Sequence, residues 1–200
     1  MITVPARMAD RPRDKRGFPV PWNVLVDPKD GTPFFTVNDD RRHLQALRQS
    51  LCPLCGGKLG RWKWFVGGPL SAFAPQGWFL DLPGHRECME FALQTCPYLS
   101  MPRWAVGDHV ANPDKLAAIS PVVIDETVIP DRPEVFVAVA SDEAEIKTSG
   151  PYLPYVRPMK PLLGYTLWRH GRQISLDEAF PYLRAALGRD WMPSEVRKET

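Results

Sequence analysis

The first part of this chain contains apolar residues whose spacing is typical of a β-hairpin followed by a helix. Residues 18–37 contain two apolar stretches around a polar Pro-Lys-Asp-Gly turn, a pattern that predicts a β-hairpin. Leu44, Leu47 and Leu51 then recur at helical spacing, and Asn38 is placed to cap the helix that they define. We expect this helix to continue to the first cysteine of the chain.

Aromatic residues mark the next two elements. Residues 61–66 and 78–82 are rich in Trp and Phe and are bounded by Gly and Pro, so each is expected to form a short strand. Pro83 and Gly84 end the second strand. The apolar positions that follow predict a helix beginning near His85.

The C-terminal part of the chain contains a second set of elements. Residues 134–140 and 162–168 are apolar enough to predict two strands, the second ending at a His170-Gly171 turn. Ser175 and Glu178 form a capping-box pattern, which predicts a helix over 176–187.

Proline content shapes the fold expected from these elements. The 22 prolines are about twice the average usage of roughly 5%, so the elements are expected to be short and joined by rigid turns. Residues 148–161 are proline-rich and are predicted to be irregular. The sequence thus predicts a loop-rich α+β fold with β-hairpins and short helices.

Four potential metal ligands occur in two pairs. Cys52 and Cys55 form a Cys-x-x-Cys turn, followed by two glycines that permit a tight backbone reversal. His85 and Cys88 are three positions apart, which in a helix places them on one face. Three thiolates and one imidazole would complete a closed tetrahedral shell for structural Zn²⁺.

The fourth cysteine does not fit this site. Cys96 follows Cys88 by eight positions, about 12 Å along a continuous helix, whereas two sulfurs on one zinc lie no more than about 4.6 Å apart. We expect Cys96 to be a buried free thiol. Disulfides among the other cysteines are the alternative, but no signal peptide pattern indicates an oxidising compartment.

The order of knuckle, hairpin and ligand-bearing helix resembles the treble-clef zinc finger over residues 50–96. The chain as a whole looks like a family of uncharacterised proteins from bacterial and bacteriophage genomes, which implies a cytoplasmic protein, in the host cell if phage-encoded. The family implies no activity and no catalytic residues. The segments that carry this second resemblance are Val4-Pro5-Ala6-Arg7-Met8, Arg16-Gly17-Phe18-Pro19-Val20-Pro21-Trp22, the Cys-x-x-Cys-Gly knuckle, His85-x-x-Cys88 with Cys96-Pro97-Tyr98-Leu99, and Leu167-Trp168-Arg169-His170-Gly171-Arg172.

Changes in composition suggest four segments. Residues 1–16 carry five basic and two acidic side chains with little apolar content, and are expected to be a mobile or surface-lying arm. Residues 17–104 would contain the hairpin, the helix and the zinc module. Residues 105–190 would form a small α/β portion, and residues 191–200 a tail.

Binding, rather than catalysis, is the function class that the sequence favours, with nucleic acid as the expected partner. The overall charge of +2 is too small to indicate this by itself. The basic residues of the finger and the arm, however, form a plausible phosphate-binding set: Lys58, Arg61, Lys63, Arg13 and Arg16.

Alternation along the strand over 61–66 supports this hypothesis. It would place Arg61, Lys63 and Phe65 on one face, available to phosphate. The opposite face, with two tryptophans and a valine, would pack on the helix.

Two alternatives remain open. The chain could be a protein-interaction adaptor, such as a phage-derived inhibitor of a host or defence protein, that contacts its partner through the aromatic segment at 152–155.

It could also be a zinc-dependent hydrolase or nuclease, because His85-Arg86-Glu87 matches the H-x-E triplet of zinc deaminases. The motif order is reversed, however, and Cys88 would close the position that an attacking water needs. No histidine lies in 56–84 to hold a second, nuclease-type metal, and His109 and His170 are not linked by any motif.

Overall fold

The computed structural model of the protein describes residues 2–75, 77–102, 132–148 and 154–192. Helices occur together with antiparallel strands, which confirms the α+β class. In chain order the elements are β1 (Val24–Val26), β2 (Pro33–Asn38), α1 (Asp40–Gln49), β3 (Lys63–Gly67), α2 (Pro69–Phe73), α3 (Arg86–Thr95), α4 (Pro97–Ser100), β4 (Phe136–Ser141), β5 (Ala144–Lys147), β6 (Tyr155–Pro158), β7 (Gly164–Arg169), β8 (Arg172–Ile174) and α5 (Leu176–Leu187).

The predicted N-terminal hairpin is confirmed, since β1 and β2 pair antiparallel. The capping residue of α1 differs from the prediction. Asp39, not Asn38, accepts hydrogen bonds from the first-turn N–H groups, while the Asn38 amide oxygen accepts from the Asn23 side chain. The helix also ends earlier than expected, because Ser50 adopts a left-handed conformation (φ 50°) and turns the chain before the first cysteine.

The main sheet has the strand order β3-β4-β7-β8, with every neighbouring pair antiparallel. Strand β3 confirms the element predicted over 61–66, but its partner is β4. The predicted strand over 78–82 is wrong, because Phe79 makes only an isolated bridge with Val156 in that segment. The treble-clef topology is therefore not confirmed, although the knuckle and the following helix are both present.

The sheet is buried on both faces. Phe65 and Val139 are paired residues on one face, which packs against α2 and α5. Trp64 and Ala140 are paired residues on the other face, which packs against α3. The expectation that Phe65 shares an exposed face with Arg61 is wrong, since its side chain is fully buried.

The C-terminal elements follow the sequence prediction closely. His170 and Gly171 both have positive φ values, 51° and 73°, as a two-residue turn between β7 and β8 requires. Ser175 accepts a hydrogen bond from the Glu178 N–H, and the Glu178 carboxylate accepts from the Ser175 N–H, which completes the capping box of α5. The segment predicted to be irregular, however, contains strand β6, which pairs with β5.

The four-segment division stays a prediction. Residues 103–131, which include the proposed boundary at 105, lie outside the described residues, as do 193–200 of the proposed tail. Strand β3 from the second segment and strand β4 from the third nevertheless belong to one sheet.

Replacing Phe65 with alanine tests the two-sided burial of β3. We expect the free energy of unfolding to fall by about 3–5 kcal/mol, the usual cost of removing a buried phenylalanine ring. Phe35→Ala is the matched control, because that ring is 47% exposed and its removal should cost about 0.5 kcal/mol or less. Chemical denaturation measures both, and equal losses would contradict the buried position of Phe65.

Candidate metal centre

The chain that carries Cys52 and Cys55 forms a tight, hydrogen-bonded knuckle. The Gly56 N–H donates to the Cys52 carbonyl, and the Cys52 N–H donates to the Gly57 carbonyl, both at 2.8 Å. Gly56 has φ 78°, and a Cβ there would lie 2.7 Å from the Trp22 ring. Glycine is thus required at this turn for its conformation and for lack of space.

Helix α3 supplies the other two groups. His85 is the N-cap residue and Cys88 lies in the first turn. Paired backbone hydrogen bonds between Trp64 and Gly84, at 2.9 and 3.0 Å, attach the start of this helix to the edge of β3. A Cβ on Gly84 would lie 3.1 Å from the Cys52 sulfur, so this glycine lets the two segments approach closely.

The structure brings the four predicted ligands together. The metal-binding atoms of Cys52, Cys55, His85 and Cys88 all lie within 4.8 Å of one another, close enough to bind one metal ion. The Cys55 Sγ and His85 Nδ1 atoms are 3.3 Å apart. The Cys52 and Cys88 side chains are fully buried, and His85 is 7% exposed.

A hydrogen bond orients the imidazole for metal binding. The His85 Nε2 atom lies 3.0 Å from the Lys58 carbonyl oxygen, which can only accept, so Nε2 carries the proton. In the neutral imidazole, Nδ1 is then the nitrogen whose lone pair faces the sulfurs of the cluster. Metal-binding histidines typically have such an outer hydrogen bond, which sets both the tautomer and the ring orientation.

Hydrogen bonds among the thiols make their acidities unequal. The pKa of Cys55 is lowered, because hydrogen bonds from the Cys52 and Cys88 thiols, followed by one from the Gly57 N–H, stabilise its thiolate. The pKa of Cys52 is raised mainly by its hydrogen bond to Cys55, and that of Cys88 by its bonds to both other thiols. A metal ion that binds here displaces the protons held by Cys52 and Cys88.

The N-terminal segment covers the centre, a contact that the sequence reasoning missed. The Met8 side chain is 1% exposed and belongs to the same apolar cluster as Cys52, Cys88 and Phe91. Arg7 forms a 2.7 Å ion pair with Glu87 in α3. The isolated apolar residues of the arm, Met8 among them, were the available signal, but the surrounding charges obscured it.

Cys96 lies apart from the centre. It ends α3 and is the N-cap residue of the short helix α4, and its side chain is half-buried, whereas a buried thiol was predicted. All four cysteines are free, so the disulfide alternative finds no support.

The predicted phosphate-binding residues of the finger differ in exposure. Lys58 is exposed, and its amine donates to the Gln49 carbonyl. The Arg61 side chain is 77% exposed and lies 3.5 Å from the Asp142 carboxylate. The Lys63 amine donates to the Asp142 carbonyl and is partly buried. Trp62, expected to pack on the helix, is 53% exposed instead.

The arm residues make local contacts. The Arg13 guanidinium donates to the Ala9 and Gly17 carbonyls, at 3.1 and 3.3 Å. Arg16 forms a 2.7 Å ion pair with Asp14 and lies 5.5 Å from the ring centres of Phe18 and Phe35. Arg13 thus stabilises the local fold of the arm, and Arg16 connects the arm to Phe35 of β2.

A second metal site is not seen in the part of the chain that the structure describes, where no other cluster of three metal-binding side chains occurs. His170 lies in the turn between β7 and β8, and His109 falls outside the described residues. In the same described part, no helix has the length and apolar character needed to span a bilayer.

No family model, curated protein or solved structure matches this chain. The resemblance to bacterial and bacteriophage proteins therefore stays a prediction, and function is inferred from the residues of the site.

Replacing Cys52 with serine tests the metal centre. Metal binding contributes directly to the folding free energy, on the order of 10 kcal/mol at structural sites, so loss of one ligand should lower the melting temperature strongly. A chelator should lower the melting temperature of the wild type but not that of Cys52→Ser.

Cys96→Ser is the matched control for this substitution. It should keep the metal and the chelator response, with a stability change of about 1 kcal/mol. Retention of bound metal by Cys52→Ser would remove this residue from the site.

Proposed function

We propose that the protein binds Zn²⁺ in a structural Cys3His site and uses the loop fixed by that site to bind nucleic acid. The donor set supports zinc, because three thiolates and an imidazole are preferred by this ion and disfavour Mg²⁺ or Ca²⁺. A tetrahedral site with Zn–S of about 2.3 Å and Zn–N of about 2.0 Å places sulfur and nitrogen about 3.5 Å apart. The 3.3 Å between Cys55 and His85 agrees with this spacing.

The single observation that links the metal to binding is the hydrogen bond from His85 to the Lys58 carbonyl. Lys58 begins the segment at residues 58–62, which we call the basic loop. Leu59 anchors the loop in the apolar cluster of the metal centre, and Lys63 anchors its other end through the Asp142 carbonyl. A metal bound by His85 would thus fix the position of the loop.

Charges on the basic loop favour an anionic partner. Lys58 and Arg61 are exposed there, and the only acidic contact that the described residues show for Arg61 is Asp142. Exposed pairs of this kind contribute about 0–1 kcal/mol, so a phosphate can compete for the guanidinium at little cost. The proposed partner is therefore nucleic acid.

The alternative functions gain less support. Within the predicted adaptor surface, Pro154 is buried and Tyr155 half-buried, while 151–153 lie outside the described residues. For a hydrolase, four ligands leave no position for water, and the Glu87 carboxylate is engaged by Arg7.

Elemental analysis combined with zinc-edge X-ray absorption tests the metal assignment. We expect one zinc per chain with three sulfur neighbours and one nitrogen neighbour. An oxygen in the shell, or fewer than three sulfurs, would indicate an open coordination position and favour catalysis over a structural role.

Replacing Lys58 and Arg61 together with alanine tests the binding role. Each lost phosphate contact should reduce the slope of log Kd against log salt by about one, so the double variant should bind nucleic acid more weakly and with a slope smaller by about two. Filter binding or fluorescence anisotropy over a salt series measures both. Lys29→Ala with Arg189→Ala is the matched control, because it removes the same charge from exposed positions elsewhere. Equal effects of the two double variants would exclude the basic loop as the binding surface.

A further inference from the structure

Trp62 differs in its exposure from the other tryptophans among the described residues. Its side chain is 53% exposed, whereas every other tryptophan in the described residues is buried or half-buried. Exposing this much of an indole sacrifices hydrophobic stabilisation, roughly 25 cal/mol for each Å² left in water. The folded chain therefore presents an aromatic surface that contributes little to its own core.

The surroundings of this ring are basic and anchored. Arg61 precedes Trp62, and Lys63 follows it. The buried Leu59 and the bond from Lys63 to the Asp142 carbonyl hold the two sides of the segment, and Gly60 has open space around it. An exposed aromatic ring flanked in sequence by cationic residues, on a segment held at both ends, offers the two kinds of contact that single-strand binders combine, base stacking and phosphate contact.

The neighbouring helix is poorly suited to duplex DNA. Proteins that read the major groove commonly insert the first turns of a helix into it. In α3, the first turns direct His85 and Cys88 into the metal centre, and their carboxylates, Glu87 and Glu90, are paired with Arg7 and Arg86. This end of the helix therefore offers no surplus of positive charge to an inserted duplex, so the ligand is expected to meet the loop and not the helix.

We propose that the basic loop recognises single-stranded nucleic acid, with the Trp62 ring stacking on one unpaired base while Lys58 and Arg61 contact the flanking phosphates. This inference rests on the nucleic-acid-binding function proposed above. It specifies a single strand because the faces of paired bases are covered by their neighbours in a duplex, and a protein side chain can stack on them only after the duplex is unstacked, at a cost of a few kcal/mol for each step.

Anisotropy titrations of the zinc-loaded full chain test the proposal, using labelled oligothymidylate, oligouridylate and a DNA duplex of equal length. Both single strands should bind at least tenfold more tightly than the duplex. Trp62→Ala should weaken single-strand binding between about 5-fold and 150-fold, the range that the loss of one stacked base produces. Trp62→Phe should restore most of the affinity. Leu70→Ala, which removes a side chain that is 40% exposed on α2, is the matched control and should bind like the wild type.

Melting curves and zinc content establish that each variant is folded. Equal affinity for duplex and single strand, or equal losses with Trp62→Ala and Trp62→Phe, would overturn the stacking role while leaving the basic loop as a phosphate-binding surface. No binding to any of the three nucleic acids would overturn the proposed function and this inference together. A clear preference for oligouridylate over oligothymidylate would identify RNA as the single strand bound and support the proposal.

Discussion

The close approach of four metal-binding side chains is the constraint on which the rest of the structure depends. Three sulfurs and one imidazole nitrogen, all within 4.8 Å, come from two segments that are far apart in the chain. Glycine serves this approach at two positions: Gly56 has a positive φ and no room for a Cβ beside Trp22, and Gly84 leaves space for the Cys52 sulfur. A cation bound at this cluster would stabilise the close approach of the sulfurs, because it would neutralise the charge of their thiolate forms.

The same constraint connects the centre to the main sheet. Gly84, next to the histidine ligand, is hydrogen-bonded in both directions to Trp64 of β3. Strand β3 is in turn paired along its length with the buried strand β4. The ligand-bearing helix is therefore positioned from two sides, by the sulfur cluster and by the sheet edge, so the knuckle and the sheet are parts of one packed structure.

Features encoded by nearby residues could be predicted, and features that depend on distant contacts could not. The spacing of Cys52, Cys55, His85 and Cys88 identified the cluster, and Ser175 with Glu178 identified the last helix, because each pattern is local. The partner of β3 was missed because β4 lies far along the chain and pairing of this kind leaves no local signal. The alternation of side chains along β3 also predicted the wrong environment for Phe65. A strand that is buried on both faces has no polar face, so alternation cannot distinguish an exposed side from a buried one.

The position of Met8 has a consequence for how the protein is made. A ribosome synthesises Met8 long before Cys88 and Phe91, the residues of α3 that share its apolar cluster. Its side chain therefore cannot reach its place in this cluster until that helix has been synthesised. The buried sulfurs of Cys52 and Cys88 belong to the same cluster, so Met8 can complete the cover of the centre only after all four predicted metal-binding residues have been synthesised.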